Sequence, residues 1–335
     1  MLYSADALFA WQLGAGYPDP MNRYDLSEFV LSLMNKANTH TPLHFQQYMI
    51  GLMRGITVFD SAWWGWSVFR GGKIAMVHTM VSGLPEGFEP KVKAHLVNDP
   101  FVRTGRSLKR YARSLSVEDA VTDPGFKVFA EEFDLTQMLN GHCKVREGPF
   151  NFFMSLYRHG QNPAFTDTET TDFLAILRHL EQALSMCLQL DLGLRVDPCN
   201  EWALLDHEGE LFLCSSGFNS VVKDGLDPEQ KPTAMLREFA GQAVATAPSG
   251  TTFSRVRYSD DLWLVSAQPV SPLNRLSPKE RRVAELLIAG ATMRVIAEES
   301  GVSVNTVRNQ VASVYRKTGV HNKVELLRLA GGLPR

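Results

Sequence analysis

The chain has 335 residues, 44% hydrophobic and 21% charged, the make-up of a folded protein longer than one ordinary domain. Its 34 basic and 36 acidic side chains nearly cancel, and no apolar run approaches the roughly 18 residues that would cross a bilayer. Four scattered cysteines (Cys143, Cys187, Cys199, Cys214) without CxxC spacing argue against a disulfide framework and read as reduced thiols of a cytoplasmic protein.

The opening stretch, MLYSADALFAWQLGAGYPDP, lacks the basic start and continuous apolar segment of a signal peptide. Residues 25–37 and 42–56 follow with helical periodicity. His40 and His44 stand at the i, i+4 spacing of a metal pair, but no carboxylate or third histidine follows, and no metal or cofactor is expected. SAWWGWSVF and KIAMVHTMV then read as strands joined through Arg70-Gly71-Gly72. Alternation puts Trp64, Trp66 and Val68 on one strand face and Trp63, Ser67 and Phe69 on the other. Three tryptophans in four residues either fill the core or line an apolar pocket where indole N–H groups orient a ligand. Trp64 and Trp66, with Asp99 from the Asp99-Pro100 turn, are the candidate pocket residues. Helices are predicted over EGFEPKVKAHLV and GFKVFAEEF, and a second strand pair over MLNGHCKV and FNFFMSLYRHG. A long helix from Thr166 or Asp167 to Leu190 closes this unit.

Helices flanking an antiparallel sheet, with a long exit helix, resemble a sensor domain of the GAF type, assigned to residues 1–194. The order of elements, with Asp99-Pro100 after the mid-domain helix, also resembles the autoinducer-binding domain of LuxR-type receptors. That resemblance implies that Asp99 accepts a hydrogen bond from a ligand amide. The tryptophan and tyrosine pattern those receptors use before this aspartate is not evident in EGFEPKVKAHLVNDP, so a homoserine-lactone ligand is not favoured. After the linker RVDPCN, residues 201–225 read as a hairpin turning at Glu208-Gly209 and then a short helix, and residues 252–270 supply two more strands. Residues 200–270 are assigned as a small PAS-like domain, and SPLN (271–274) leads into the last module. No GxSxG, Walker A loop or strand-borne GxGxxG occurs, which leaves hydrolase, nucleoside-triphosphatase and dinucleotide readings without support.

The C-terminal part is the most informative. Ser277 and Glu280 form a capping box with Pro278 at the first helical position, and Val283, Leu286 and Leu287 give the helix an apolar side ended by Gly290. Thr292 caps a second helix whose expected inward residues are Val295, Ile296 and Ala297. Ser300-Gly301-Val302 turns into a third helix, capped by Ser303 and stopped by Gly319. On a wheel of about 100° per residue with Asn305 at zero, Val307, Val311, Val314 and Thr318 cluster near 200° as the core stripe. Asn305, Arg308, Asn309, Ala312 and Arg316 cluster opposite, and Thr306, Gln310, Ser313 and Lys317 form a third stripe near 110°. The outward stripe matches base edges: Arg suits guanine, Asn suits adenine, and a small residue permits close approach. A solvated face is the plainer alternative. A fourth helix, residues 323–330, carries Val324, Leu327 and Ala330 along one side, with Leu326 a weaker part of the same surface.

LSPKERRVAELLIAG, VIAEESGVSVNTVRNQV and RKTGVHNKVELL, in that order and spacing, resemble a LuxR-type (NarL/FixJ-like) DNA-binding domain over residues 272–335. The resemblance implies base contacts from Asn305, Arg308, Asn309 and Ala312. It implies backbone contacts from Thr292, Thr306 and Lys317, which the third stripe and the helix start extend to Gln310 and Ser303. It also implies pairing of two domains through the fourth helix at Val324 and Leu327. Two departures stand out: Gln310 where histidine is frequent, and Thr318 where leucine is usual. Residues 272–335 hold 11 Lys and Arg against 5 Asp and Glu, a net of +6, while the body carries the opposite excess. A basic end on an acidic body confines duplex binding to one module.

The sequence therefore predicts a multidomain α+β protein: GAF-like sensor, PAS-like α+β domain and all-α helix-turn-helix. The expected function is non-enzymatic: a cytoplasmic, ligand-responsive transcription regulator, a homodimer on double-stranded DNA, with a small apolar effector and no membrane partner. The alternatives are an acyl-homoserine-lactone receptor or a regulator switched by protein docking.

Overall fold

The computed structural model describes residues 23–71, 73–96, 99, 101–102, 110–120, 123–145, 149–225, 243–247, 250–269 and 271–331. The opening twenty residues, Gly72 and Pro100 of the two predicted turns, and Val270 lie outside the described residues. Two compact bodies divide the chain. One comprises Met1–Leu192 with Leu211–Leu213 and Arg257–Leu262; the other comprises Gly193–Glu210, Cys214–Val256 and Trp263–Arg335.

The first body opens with helices α1 (Arg23–Ala37) and α2 (Pro42–Arg54), then hairpin β1 (Ser61–Arg70) and β2 (Lys73–Ser82). Helix α3 (Phe88–His95), strand β3 (Arg110–Ser116), the turn α4 (Val117–Ala120) and α5 (Pro124–Glu132) precede β4 (Leu135–Lys144) and β5 (Phe150–His159). The exit helix α6 runs Asp167–Arg195, five residues past its predicted end. The strands form one antiparallel sheet in the order β2-β1-β5-β4-β3. Strand β3 was not predicted: RYARSLS is an arginine-bearing edge strand without an apolar run, and edges tolerate such composition.

The sheet has two different faces. Trp64, Trp66, Phe152, Met154 and Leu156 make one of them, all 3% exposed or less. On β4 the same face needs Gly141, since a Cβ there would sit 2.7 Å from Phe173 and 3.1 Å from Leu177 of α6. Gly65, opposite a bulge in β2, has φ 154° and no room for a Cβ, which would lie 2.7 Å from the His78 carbonyl. The other face carries an aromatic cluster in which Trp63 meets Phe153 edge-on at 4.6 Å and Phe88 at 5.9 Å.

One buried ion pair joins β5 to the start of α6. Arg158, 1% exposed, donates to the carbonyls of Val58, Pro163 and Ala164 at 2.8, 2.9 and 3.0 Å and to Glu169 Oε1 at 2.5 Å. Its guanidinium also lies over the Phe165 ring, 3.9 Å from the centroid. Glu169 completes a capping box: Oε2 accepts from the Thr166 N–H at 2.9 Å, and Thr166 Oγ1 accepts from the Glu169 N–H at 3.1 Å.

A second five-stranded sheet has the order β7-β6-β10-β9-β8, from β6 (Glu201–Asp206), β7 (Leu211–Cys214), β8 (Val244–Thr246), β9 (Thr252–Arg257) and β10 (Leu262–Gln268). Counted along its own segment, that is the strand order of the first sheet. Helix α7 (Phe218–Gly225) follows the hairpin. The three-residue β8 is too short to leave a periodic signal. The chain ends in α8 (Pro278–Ile288), α9 (Met293–Ser300), α10 (Val304–Thr318) and α11 (Lys323–Gly331), packed on Val283, Leu287, Ile296, Val307, Val311, Val314 and Leu326. Val295, predicted to face inward, is 40% exposed; in an eight-residue helix Ile296 and Ala297 complete the buried side.

Glu169→Ala leaves a buried guanidinium without its counter-charge and should cost about 3–5 kcal/mol in urea denaturation. Arg158→Lys keeps the charge but cannot span three carbonyls, so a loss of about 1–3 kcal/mol is expected. A lysine variant within 0.5 kcal/mol of the native protein, roughly the scatter of surface substitutions, would show that the forked geometry is dispensable.

Candidate functional site

Helix α10 presents the first candidate surface. Ser303 Oγ accepts from the Thr306 N–H at 3.1 Å, Gly319 closes the far end at φ 71°, and no acidic residue lies in the helix. Val307, Val311, Val314 and Thr318 are buried, while Asn305, Arg308, Asn309, Ala312 and Arg316 are exposed. Thr318 fits the core because its hydroxyl donates to the Val314 carbonyl at 2.7 Å. Arg308 Nη1 donates to Asn305 Oδ1 at 2.9 Å, so the two outward side chains fix each other.

The flanking groups are more engaged. Thr292 and Ser303 spend an acceptor on capping their helices, from Val295 and Thr306 N–H respectively, but a hydroxyl that accepts retains its own proton for donation. Gln310 departs from its predicted stripe: it is half-buried, with Oε1 buried and unpartnered among the described residues. At about 140° on the wheel it lies nearer the core stripe than Thr306 or Lys317 do.

Glu280 organises this corner. Its Oε1 accepts from Ser313 Oγ at 2.8 Å, and its Oε2 accepts from Lys317 Nζ at 2.7 Å and the Ser277 N–H at 2.8 Å. The Lys317 hydrogen bond, followed by those from Ser277 and Ser313, lowers its pKa to about 2. Sequence reading found Glu280 as a capping residue and missed its tie to Lys317, 37 residues away. On α11, Val324 and Leu327 are 56% and 37% exposed and Ala330 is exposed. Leu326 is fully buried in the module core, so it drops out of the predicted pairing surface.

The second candidate is a cavity of about 100 Å³ on the aromatic face of the first sheet. Its floor comes from β1, β5 and β4, where cross-strand pairs set Ser155 beside Trp63 and Asn140, and Asn151 beside Ser67. Asn140 Nδ2 donates to Ser155 Oγ at 2.7 Å. Ile74, Met76, Asp99, Phe101 and Val102 complete the walls. Asp99 lines this cavity, whereas Trp64 and Trp66 do not. Alternation had sorted the faces correctly, but the cavity opens on the face of Trp63, Ser67 and Phe69. Trp66 instead packs against Phe152 at 5.4 Å and Phe212 at 5.0 Å. Nor does the indole N–H of Trp63 orient a ligand: it donates to Glu89 Oε1 at 3.2 Å, which also accepts from Thr79. The signal that marks the true floor is Ser67, Asn140, His142, Asn151 and Ser155, polar residues on otherwise apolar buried strands.

Burial of Asp99 raises its pKa to about 6, against the lowering effect of the Phe101 and Val102 N–H groups on Oδ1. His40 and His44 line an open cleft, each with Nδ1 at a threonine hydroxyl, and no cluster of three metal-binding side chains occurs among the described residues. Among those residues no helix is long and apolar enough to cross a membrane.

Residues 274–330 match the family described as bacterial regulatory proteins, luxR family. The spore germination protein GerE of Bacillus subtilis is 41% identical over 58 residues, 16% of this chain and 78% of GerE. The two-component response regulator PprB of Pseudomonas aeruginosa is 39% identical over 66 residues, 18% of this chain and only 24% of PprB. A longer match, 26% identical over 195 residues, covers 55% of this chain and 74% of the probable HTH-type transcriptional regulator GfsR of Streptomyces halstedii. Among solved structures, the N-acylhomoserine-lactone-dependent factor CepR2 of Burkholderia cenocepacia is 16% identical, with TM-score 0.39 over 51% of this chain and 99% of CepR2. Escherichia coli SdiA is 11% identical, with TM-score 0.39 over 92% of this chain and 98% of SdiA.

A raised carboxylate pKa stabilises the fold fully below the unfolded value near 4 and progressively less as pH rises through about 6. Asp99→Asn keeps an acceptor for Phe101 and removes the charge. It should be more stable than the native protein at pH 7.5, by at most about 3 kcal/mol, with the two converging near pH 4. Melting curves that stay parallel from pH 4 to 8 would mean Asp99 is not held in a desolvated site.

Proposed function

The chain belongs to the LuxR family of bacterial regulatory proteins, and from that premise we propose a transcription regulator that reads double-stranded DNA through α10 and senses a small molecule in its first body. The observation that carries the DNA reading is the exposed, acid-free stripe of Asn305, Arg308, Asn309 and Ala312 on a helix capped at both ends. A guanidinium and two carboxamides supply the donors and acceptors of major-groove base edges, and Ala312 lets the backbone approach. Thr292, Ser303, Thr306 and Lys317 flank that stripe as phosphate contacts. The chemistry is binding rather than catalysis, and no cofactor enters it. The cytoplasm is the compartment this function requires.

The cavity supports the sensing half. It is a concave, mostly apolar space with a few convergent polar groups, the usual make-up of a small-molecule site. An effector shifts the protein only by binding its two states differently, so the cavity floor must change when the DNA-binding state changes. The exposed Val324 and Leu327 on α11 favour a dimer about a two-fold axis, and hence a roughly palindromic operator.

Arg308→Ala should cost about 1–3 kcal/mol on the preferred duplex and relax discrimination at one base pair, while Lys317→Ala weakens specific and random duplexes alike. Equal losses on both duplexes for Arg308→Ala, measured by fluorescence anisotropy, would remove it from the reading stripe. Leu327→Glu should lower affinity for the full palindrome and leave half-site binding unchanged. A variant that still footprints the full site at native concentration would place the dimer contact elsewhere.

A further inference from the structure

The cavity's size and lining define the kind of effector it takes, and this step rests on the sensing role proposed above. A dry cavity of about 150 Å³ accommodates a benzene ring, whereas burying drug-sized ligands takes about 300–1,000 Å³. At about 100 Å³ this one holds little more than a single ring. Flat partners are supplied by Trp63 and Phe153, set edge-to-face at 4.6 Å, with Phe69 and Phe101 also in the wall. Hydrogen-bonding capacity is concentrated on the floor, where Asn140 and Asn151 are carboxamides that both donate and accept. Among the described residues the lining holds no Lys or Arg; its titratable side chains are His142 and Asp99, and Asp99 already accepts from two backbone N–H groups.

We propose that the effector is an uncharged molecule of about one ring, lying against Trp63 and Phe153 and hydrogen-bonded as donor and acceptor to the Asn140 and Asn151 carboxamides. An anion meets Asp99 in a desolvated space, with no Lys or Arg among the described lining residues to offset it. A cation would add a desolvation cost beside a carboxylate already occupied by backbone donors. A long acyl chain has no volume to enter.

The test uses the full-length protein and five probes: phenol, benzamide, benzoate, benzylamine and N-octanoyl homoserine lactone, each titrated against melting temperature. Benzamide and phenol are expected to raise it saturably by a few degrees, the other three not at all. Met76→Trp, which fills the cavity from its wall, should abolish the benzamide shift; should that variant fail to fold, Asn140→Leu should weaken benzamide at least tenfold by calorimetry. A shift from the lactone without one from benzamide, or from benzoate or benzylamine as large as from benzamide, overturns the ligand class and leaves the sensing role standing. A benzamide shift retained in full by both variants places the site elsewhere and overturns the assignment to this cavity. No shift from any of the five overturns the ligand class and leaves the sensing role standing.

Discussion

The first body depends on where one buried guanidinium finds its partners. Arg158 sits at the end of β5, with its neighbours on the two chain segments that must meet there: the 57–58 loop entering β1 and the 163–169 stretch leading into α6. Such a charge is costly to bury unless every donor is used, and the compensation here comes from three carbonyls and a carboxylate. The same carboxylate caps α6, so the helix starts where the ion pair permits. Once α6 is anchored, Gly141 lets it lie close on β4, and the face of Trp64, Trp66 and Leu156 is filled. The opposite face is left to short helices and to Asp99, Phe101 and Val102, and there the cavity forms. A fully packed side and a partly open side are thus consequences of one anchoring point.

This explains why the two candidate sites were unequally legible in the sequence. The helix-turn-helix is written in short-range chemistry: the Ser277 and Ser303 caps and the left-handed Gly301 and Gly319 each act within a few residues. The third helix's 3.6-residue period then sorts the reading stripe from the core without knowledge of anything distant. Gln310, Val295 and Leu326 drifted; the first two lie at the border between stripes, where a wheel is least decisive. In the first body the period of two also sorted β1 correctly. Which of its faces receives α6 is settled by residues far along the chain, notably Gly141, Glu169 and Phe173, and no local pattern in SAWWGWSVF carries that information. The density of indoles drew attention to the packed face, since bulk is what a helix–sheet core requires. Isolated polar residues on apolar strands were the better guide.

Within the DNA-binding module, two basic side chains that look alike in sequence differ in their available charge. Lys317 donates to Glu280, whose carboxylate is held ionised by that lysine and by Ser277 and Ser313. In the proposed complex a phosphate approaching Lys317 would compete with an anion already in place, so this residue would release less than one counterion on binding. Arg308, by contrast, is held by the neutral carbonyl of Asn305. That contact limits its rotamers without cancelling any charge. The arrangement separates fixation from neutralisation. The acid that ties α8 to α10 sits against the flanking lysine, and the outward stripe proposed to read DNA keeps its positive charge together with a preset geometry.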